Sequence, residues 1–60
     1  MRVVIADDSV LLREGLARLL AEAGIETVAL VGDGEELEVA VAEHRPDVAI
    51  IDMAPGPPPA

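Results

Sequence analysis

The stretch that decides the fold is Arg2-Val3-Val4-Ile5-Ala6-Asp7-Asp8-Ser9, in which an apolar run ends in two carboxylates and a serine. Its apolar part is short and rich in β-branched residues, which is typical of a strand buried on both faces of a parallel sheet. Ser9 is a favourable N-cap for a following helix, and Asp8 is the alternative. The stretch therefore predicts a buried strand over residues 2–6 that leads through a polar turn into a helix.

The predicted first helix covers residues 9–23. Its apolar side chains recur at helical spacing and form one stripe, which comprises Leu12, Leu16, Leu19, Leu20 and Ala23. Gly24 follows at the position where a glycine commonly ends a helix. We therefore expect this stripe to pack against the sheet.

The rest of the chain continues the alternation of strand and helix. Residues 27–31 read as a second strand, and Asp33 in the turn Gly32-Asp33-Gly34 can cap a second helix. The apolar side of that helix comprises Leu37, Ala40, Val41 and His44, and it ends before Pro46. Residues 47–51 form the third predicted strand, which leads into Asp52. Short crossovers of this kind predict a parallel α/β sheet with helices on both faces.

Composition limits the function classes. The chain has 60 residues, enough for one small domain, and a formal net charge of −8. It has no cysteine, no aromatic residue and no lysine. These absences exclude a disulfide framework, a zinc–thiolate site and a stacking platform for bases. The acidic balance argues against direct nucleic-acid binding, and no apolar run is long enough to span a membrane. We therefore expect a cytoplasmic protein.

The last residues differ from the rest in composition. Four of the five prolines in the chain lie in its last six residues. Such a stretch favours extended polyproline or disorder. We therefore divide the chain into a folded domain over residues 1–53 and a disordered Pro-rich tail over residues 54–60.

Three aspartates follow the predicted strands. Asp7 and Asp8 end the first strand, and Asp52 ends the third. Any one of them could simply cap a helix. If the two strands are neighbours, however, all three carboxylates lie at one edge of the sheet and repel one another. A magnesium ion would relieve that repulsion and could hold a phosphoryl group against a carboxylate nucleophile.

These residues resemble the N-terminal half of a response-regulator receiver domain from two-component signalling, most of all the receivers joined to helix-turn-helix DNA-binding domains. The resemblance rests on four motifs that together cover residues 1 to about 53. They are Val3-Val4-Ile5-Ala6-Asp7-Asp8-Ser9, Leu12-Arg13-Glu14-Gly15-Leu16, Gly32-Asp33-Gly34-Glu35-Glu36 and His44-Arg45-Pro46-Asp47-Val48-Ala49-Ile50-Ile51-Asp52.

The resemblance implies a flavodoxin-like fold with strand order 2-1-3 and a definite set of roles. Asp52 would be the phosphoacceptor, with a sensor histidine kinase as phosphodonor. Asp8 would bind Mg²⁺ directly, Asp7 would often act through water, and the backbone carbonyl of Ala54 would be a further ligand. The family implies a signalling domain rather than an enzyme.

The chain also departs from the family pattern. Receivers are about twice as long, and a hydroxyl residue, a lysine and a switch aromatic that follow in the family are missing from this sequence. The motif after Asp52 is altered to Met53-Ala54-Pro55. We therefore expect a receiver half-domain truncated after the third strand, with impaired phosphorylation and marginal stability.

The alternative is a non-phosphorylated interaction module or an inactive remnant. Its third strand would be an exposed apolar edge, which could pair with a second copy or with an intact receiver.

Other function classes fit the sequence poorly. A phosphate-binding loop is excluded because no Gly-Lys-Ser/Thr occurs. A dinucleotide fingerprint at Gly32-Asp33-Gly34 lacks its third glycine, and a haloacid-dehalogenase-type nucleophile lacks a second aspartate two residues on. Residues 55–58 fit a minimal PxxP pattern without a basic flank.

Overall fold

The computed structural model describes residues 1–53, which form a three-stranded parallel sheet with two helices. The elements in chain order are β1 (Arg2–Asp7), α1 (Val10–Glu22), β2 (Glu26–Val31), α2 (Gly34–His44) and β3 (Val48–Asp52). The strand order is β2-β1-β3, so the predicted topology is confirmed. Residues 54–60, for which we predicted disorder, lie outside the described residues.

The core lies around β1, because this strand is central and has a neighbour on each side. Val3, Val4, Ile5 and Ala6 are all buried, as expected for the middle strand of a parallel sheet. Val4 and Ala6 pack with Val31 of β2 and Ala40 of α2. Since side chains alternate across a strand, Val3 and Ile5 point to the opposite face, which α1 covers.

The β1–β2 ladder contains one irregularity. Val3 pairs with Thr27, but Val4 pairs with Ala29, so Val28 is an extra residue on β2. From Ala29 to Val31 the pairing is regular again. A bulge of this kind increases the local twist of the strand that carries it.

Both helices begin at the predicted caps. Ser9 Oγ accepts a hydrogen bond from the backbone amide of Leu12 at 3.3 Å, and Asp33 Oδ1 accepts one from the backbone amide of Glu36 at 2.8 Å. The Glu36 carboxylate in turn accepts the amide of Gly32 at 3.1 Å. Each cap satisfies amides that have no partner within the helix.

Each helix is followed by a residue in the left-handed backbone conformation. Gly24 follows α1 with φ +81°, and the amides of Gly24 and Ile25 bond back to the last turn. This is the paired bonding of a Schellman motif. At the end of α2, Arg45 takes the left-handed conformation with φ 46°. Pro46 follows directly, which disfavours continued helical geometry at Arg45.

The predicted packing stripe of α1 is partly wrong. Leu12 and Leu19 are 59% and 64% exposed, whereas Leu16 and Leu20 are half-buried. Ala23, the last residue of the predicted stripe, is exposed. Arg13 and Ala17, which were not part of the predicted stripe, are half-buried with Leu16 and Leu20. The helix is therefore rotated so that Leu12 and Leu19 lie at the rim of its contact with the sheet.

The apolar side of α2 is largely as predicted. Ala40 is buried, Leu37 and His44 are half-buried, and Val41 is more exposed. Arg2 connects the start of β1 to the segment between α2 and β3. Its Nη1 donates to the carbonyl of His44 at 2.8 Å, and its amide donates to Asp47 Oδ2 at 2.8 Å. Asp47, which we predicted to begin the third strand, therefore precedes β3 and anchors its start.

Candidate functional site

The β1–β3 pairing brings two of the predicted aspartates together. Asp7 and Asp52 are the last residues of their strands, and they are direct register partners. In a parallel sheet, paired residues point to the same face, so their side chains lie side by side at the carboxyl edge of the sheet. In α/β sheets of this kind, the carboxyl edge is where ligands bind.

Asp7 is the fixed member of the pair. It is only 3% exposed, and its Oδ1 accepts the amide of Ser9 at 2.9 Å. Ser9 is also the N-cap of α1, so one short turn positions both the carboxylate and the helix. The buried carboxylate is thus held by the same residues that start α1.

Asp52 is the accessible member of the pair. It is exposed, and together with Asp7 it lines a groove of about 560 Å³ beside α1. The other residues that line the groove belong to α1: they are Leu11, Leu12, Gly15, Leu16 and Leu19. A carboxylate in this position can meet a reagent from solvent, whereas Asp7 is reached only through the groove.

Asp8 does not join the pair in the structure. It is exposed and does not line the groove. Among residues 1–53, no group of three or more His, Cys, Asp or Glu side chains is arranged to hold a metal ion. The backbone carbonyl of Ala54, the fourth predicted ligand, lies outside the described residues. The metal ligation by Asp7, Asp8, Asp52 and Ala54 therefore stays a prediction.

The donor chemistry of the pair nevertheless suits magnesium. This ion prefers oxygen ligands and is usually held by one or two carboxylates, keeping several waters. Asp7 and Asp52 supply two carboxylates from adjacent strands. Exposed Asp8 follows Asp7 directly in the chain. The residues present therefore fit a partly hydrated Mg²⁺.

Arg13 is a residue near the site that the sequence analysis missed. Its Nη1 donates to the backbone carbonyl of Asp7 at 3.1 Å. The same nitrogen lies 2.9 Å from where a Cβ on Gly32 would be, so a side chain at position 32 would displace the guanidinium. Arg13 thus ties the end of β1 to the start of the β2–α2 turn. The helical spacing of Arg13 with Ala17 and Leu20 was the available signal.

His44 has no place in this site. It ends α2, and its Nε2 lies 4.0 Å from Glu43 Oε2. This position agrees with the predicted end of the second helix before Pro46. Neither helix of the described chain is long and apolar enough to cross a membrane.

Comparison with known proteins identifies the family. The family model described as "Response regulator receiver domain" matches residues 3–54. A protein-glutamate methylesterase/protein-glutamine glutaminase of Haloarcula marismortui is 47% identical over 53 residues, which is 88% of this chain and 14% of that protein. The transcriptional regulatory protein PdtaR of Mycobacterium tuberculosis is 44% identical over 52 residues, or 87% of this chain and 25% of that protein.

A third relative extends the match further along the chain. The oxygen regulatory protein NreC of Staphylococcus epidermidis is 43% identical over 58 residues, which is 95% of this chain and 27% of that protein. The chain thus spans 14 to 27% of the length of these curated relatives. No solved structure matches it. The chain belongs to the response regulator receiver domain family of two-component signalling, and its β-α-β-α-β sheet of order 2-1-3 is the flavodoxin-like arrangement of a receiver half-domain.

Proposed function

We propose that Asp52 accepts a phosphoryl group from a phosphohistidine of a sensor histidine kinase, as a cytoplasmic step in a phosphorelay. The observation that carries this proposal is the β1–β3 register, which pairs exposed Asp52 with buried Asp7 at the carboxyl edge. The accessible carboxylate can act as the nucleophile, and the buried one has a fixed position beside it. Family membership supports the same assignment.

A magnesium ion would be held by the carboxylates of Asp7, Asp8 and Asp52 and by the carbonyl of Ala54. When bound, this ion supplies positive charge that offsets the negative charge of the aspartates and of the phosphoryl oxygens. Asp7 contributes a carboxylate that is already ordered by the Ser9 amide. Arg13 keeps the backbone of Asp7 in place through its carbonyl.

In the proposed step, a carboxylate oxygen of Asp52 attacks the phosphorus of the phosphohistidine. A P–O bond forms, and the P–N bond to the imidazole breaks. The electron pair of that bond stays on the imidazole nitrogen, which takes up a proton. The products are an acyl phosphate on Asp52 and a neutral histidine on the donor.

We expect the 60-residue chain by itself to be phosphorylated slowly. It contains no lysine, so it has no lysine ammonium group to contact the phosphoryl oxygens. Loss of one preorganised electrostatic donor typically lowers a rate by about 10²–10³. Such a chain would be an impaired phosphoacceptor.

The test uses phosphoramidate, whose P–N bond resembles that of phosphohistidine, in the presence of Mg²⁺. Intact-mass spectrometry should show the gain of one phosphoryl group, and chelation of Mg²⁺ should abolish it. The variant Asp52→Asn should gain none. The control is Asp33→Asn, because asparagine caps a helix as well as aspartate does. Equal phosphorylation of Asp52→Asn and the unsubstituted chain would contradict the proposal.

A second candidate function is an interaction module that needs no phosphate. The observation that favours it is the outer side of β3, which pairs with no strand among residues 1–53 and exposes 59% of Ile51. A second copy or an intact receiver could add to this edge. Sedimentation velocity over a concentration series would then show self-association, which Ile51→Lys should weaken and chelation of Mg²⁺ should leave unchanged. A monomer at every concentration would rule out pairing between copies.

A further inference from the structure

A second groove lies on the far side of the sheet from Asp52. It has a volume of about 480 Å³, and the residues that line it belong to β2 and α2, so we call it the β2–α2 groove. Its apolar lining comes from Ala29 and Val31 of the strand and from Val39 and Ala40 of the helix. Val39 is 59% exposed, whereas Val31 and Ala40 are buried. The groove therefore contains an apolar part that no other described residue covers.

The strand beside this groove also has unpaired backbone. β2 pairs with β1 on one side, and no other strand of residues 1–53 pairs with its outer side. The ladder is irregular at Val28 but regular from Ala29 to Val31, where the strand borders the groove. The outer N–H and C=O groups of this regular stretch are available to a further strand.

The two features together define the shape of an occupant. An extended peptide can bond to the outer edge of a strand while every second side chain enters the adjoining groove. A helix in the same groove would leave the backbone groups of the edge unpaired. The combination of a regular edge and a groove beside it thus favours an extended segment.

Charge defines the chemistry of the occupant. Three glutamates of α2, Glu35, Glu36 and Glu43, line the groove together with His44, the last residue of that helix. The whole chain has a formal net charge of −8. Arginine or lysine side chains fit such a lining, because their apolar stems cover valine while their charged ends reach the carboxylates. We propose that the β2–α2 groove binds an extended cationic segment of a partner protein, which adds to β2 as a further strand. This function is separate from phosphorylation, since it uses neither Asp52 nor a metal.

The test is an amide NMR titration of the isotope-labelled 60-residue chain with a short capped peptide in which arginine and valine alternate. We expect the largest shifts at the amides of Ala29 to Val31 and of Glu35, Val39 and Glu43. Raising the ionic strength from about 0.01 M to about 0.15 M should weaken binding, because added salt shortens the distance over which surface charges attract each other. A peptide that alternates glutamate and valine should not bind.

Matched variants separate the groove from general attraction between opposite charges. Glu35→Gln combined with Glu43→Gln should weaken binding about five-fold, as expected for the loss of two exposed ion pairs. Glu14→Gln combined with Glu22→Gln removes the same charge from α1 and should leave binding nearly unchanged.

Each of the following results would overturn the proposal. The first is equal weakening by the α1 pair of substitutions. The second is tighter binding of a helix-forming peptide with the same charge. The third is a set of shifts confined to β3, or a chain whose spectrum does not respond to the peptide at all.

Discussion

At the scale of single residues, Thr27 carries a buried hydroxyl group without a hydrogen-bond partner among residues 1–53. Burying a hydroxyl without a partner costs about 1–3 kcal/mol in proteins. Thr27→Val keeps the shape of the side chain and removes the unpaired group. We expect this variant to raise the free energy of unfolding by about 1 kcal/mol, measured as a shift of the urea midpoint.

The control for this variant is Thr27→Ser. Serine keeps the hydroxyl but loses the methyl group, so it should lower the midpoint. If Thr27→Val were less stable than the unsubstituted chain, the hydroxyl would have a partner in solution. This residue-scale feature was not predictable from the sequence. The bulge at Val28 sets which β2 residues face inward, and nothing in the residue pattern marks where a bulge falls.

At the scale of elements, the rotation of α1 gives a testable difference between two leucines. Leu20 is half-buried against the sheet, whereas Leu12 is largely exposed. Both substitutions to alanine gain the same helix propensity, so the difference between them reports packing. We expect Leu20→Ala to lower the free energy of unfolding by about 1–2 kcal/mol and Leu12→Ala by less than about 0.5 kcal/mol. Denaturation curves of the two variants compare them directly. Equal losses in the free energy of unfolding would mean that Leu12 packs against the sheet as well as Leu20 does, as the sequence pattern predicted.

The elements also show how far sequence patterns reach. The caps at Ser9 and Asp33 were predictable because capping is a local property of neighbouring residues. Parallel topology predicts that Asp7 and Asp52 lie at the same edge of the sheet, and the resemblance to receivers supplied the strand order that makes them neighbours. The rotation of α1 could not be predicted, because leucines occur on several sides of this helix and more than one apolar stripe fits the sequence. The contact of Arg13 with Asp7 was missed because the predicted stripe contained only apolar residues.

At the scale of the whole molecule, stability depends on a very small core. Four of the six buried apolar residues among residues 1–53 are Val3, Val4, Ile5 and Ala6 of β1, and the other two are Val31 of β2 and Ala40 of α2. A domain of this size has a free energy of unfolding of about 3–9 kcal/mol at most. Ile5→Ala removes about 2–5 kcal/mol and Ile5→Val about 0.5–1.5 kcal/mol. We expect Ile5→Ala to lose amide dispersion in NMR spectra at room temperature while Ile5→Val keeps it. A well-dispersed spectrum of Ile5→Ala would show that stability comes from elsewhere.

The central place of β1 has a consequence for synthesis on the ribosome. The strand that emerges first is the one that needs both neighbours, and the partner of Val3 on one side is Val48. At about 5–20 residues per second, the ribosome delivers that partner only some 2–9 s later. Through that interval β1, whose residues Val3 to Ala6 are all apolar, lacks its β3 partner on one edge. The rate of elongation therefore sets how long this strand lacks its β3 partner, and a strand edge without a partner can pair with another chain.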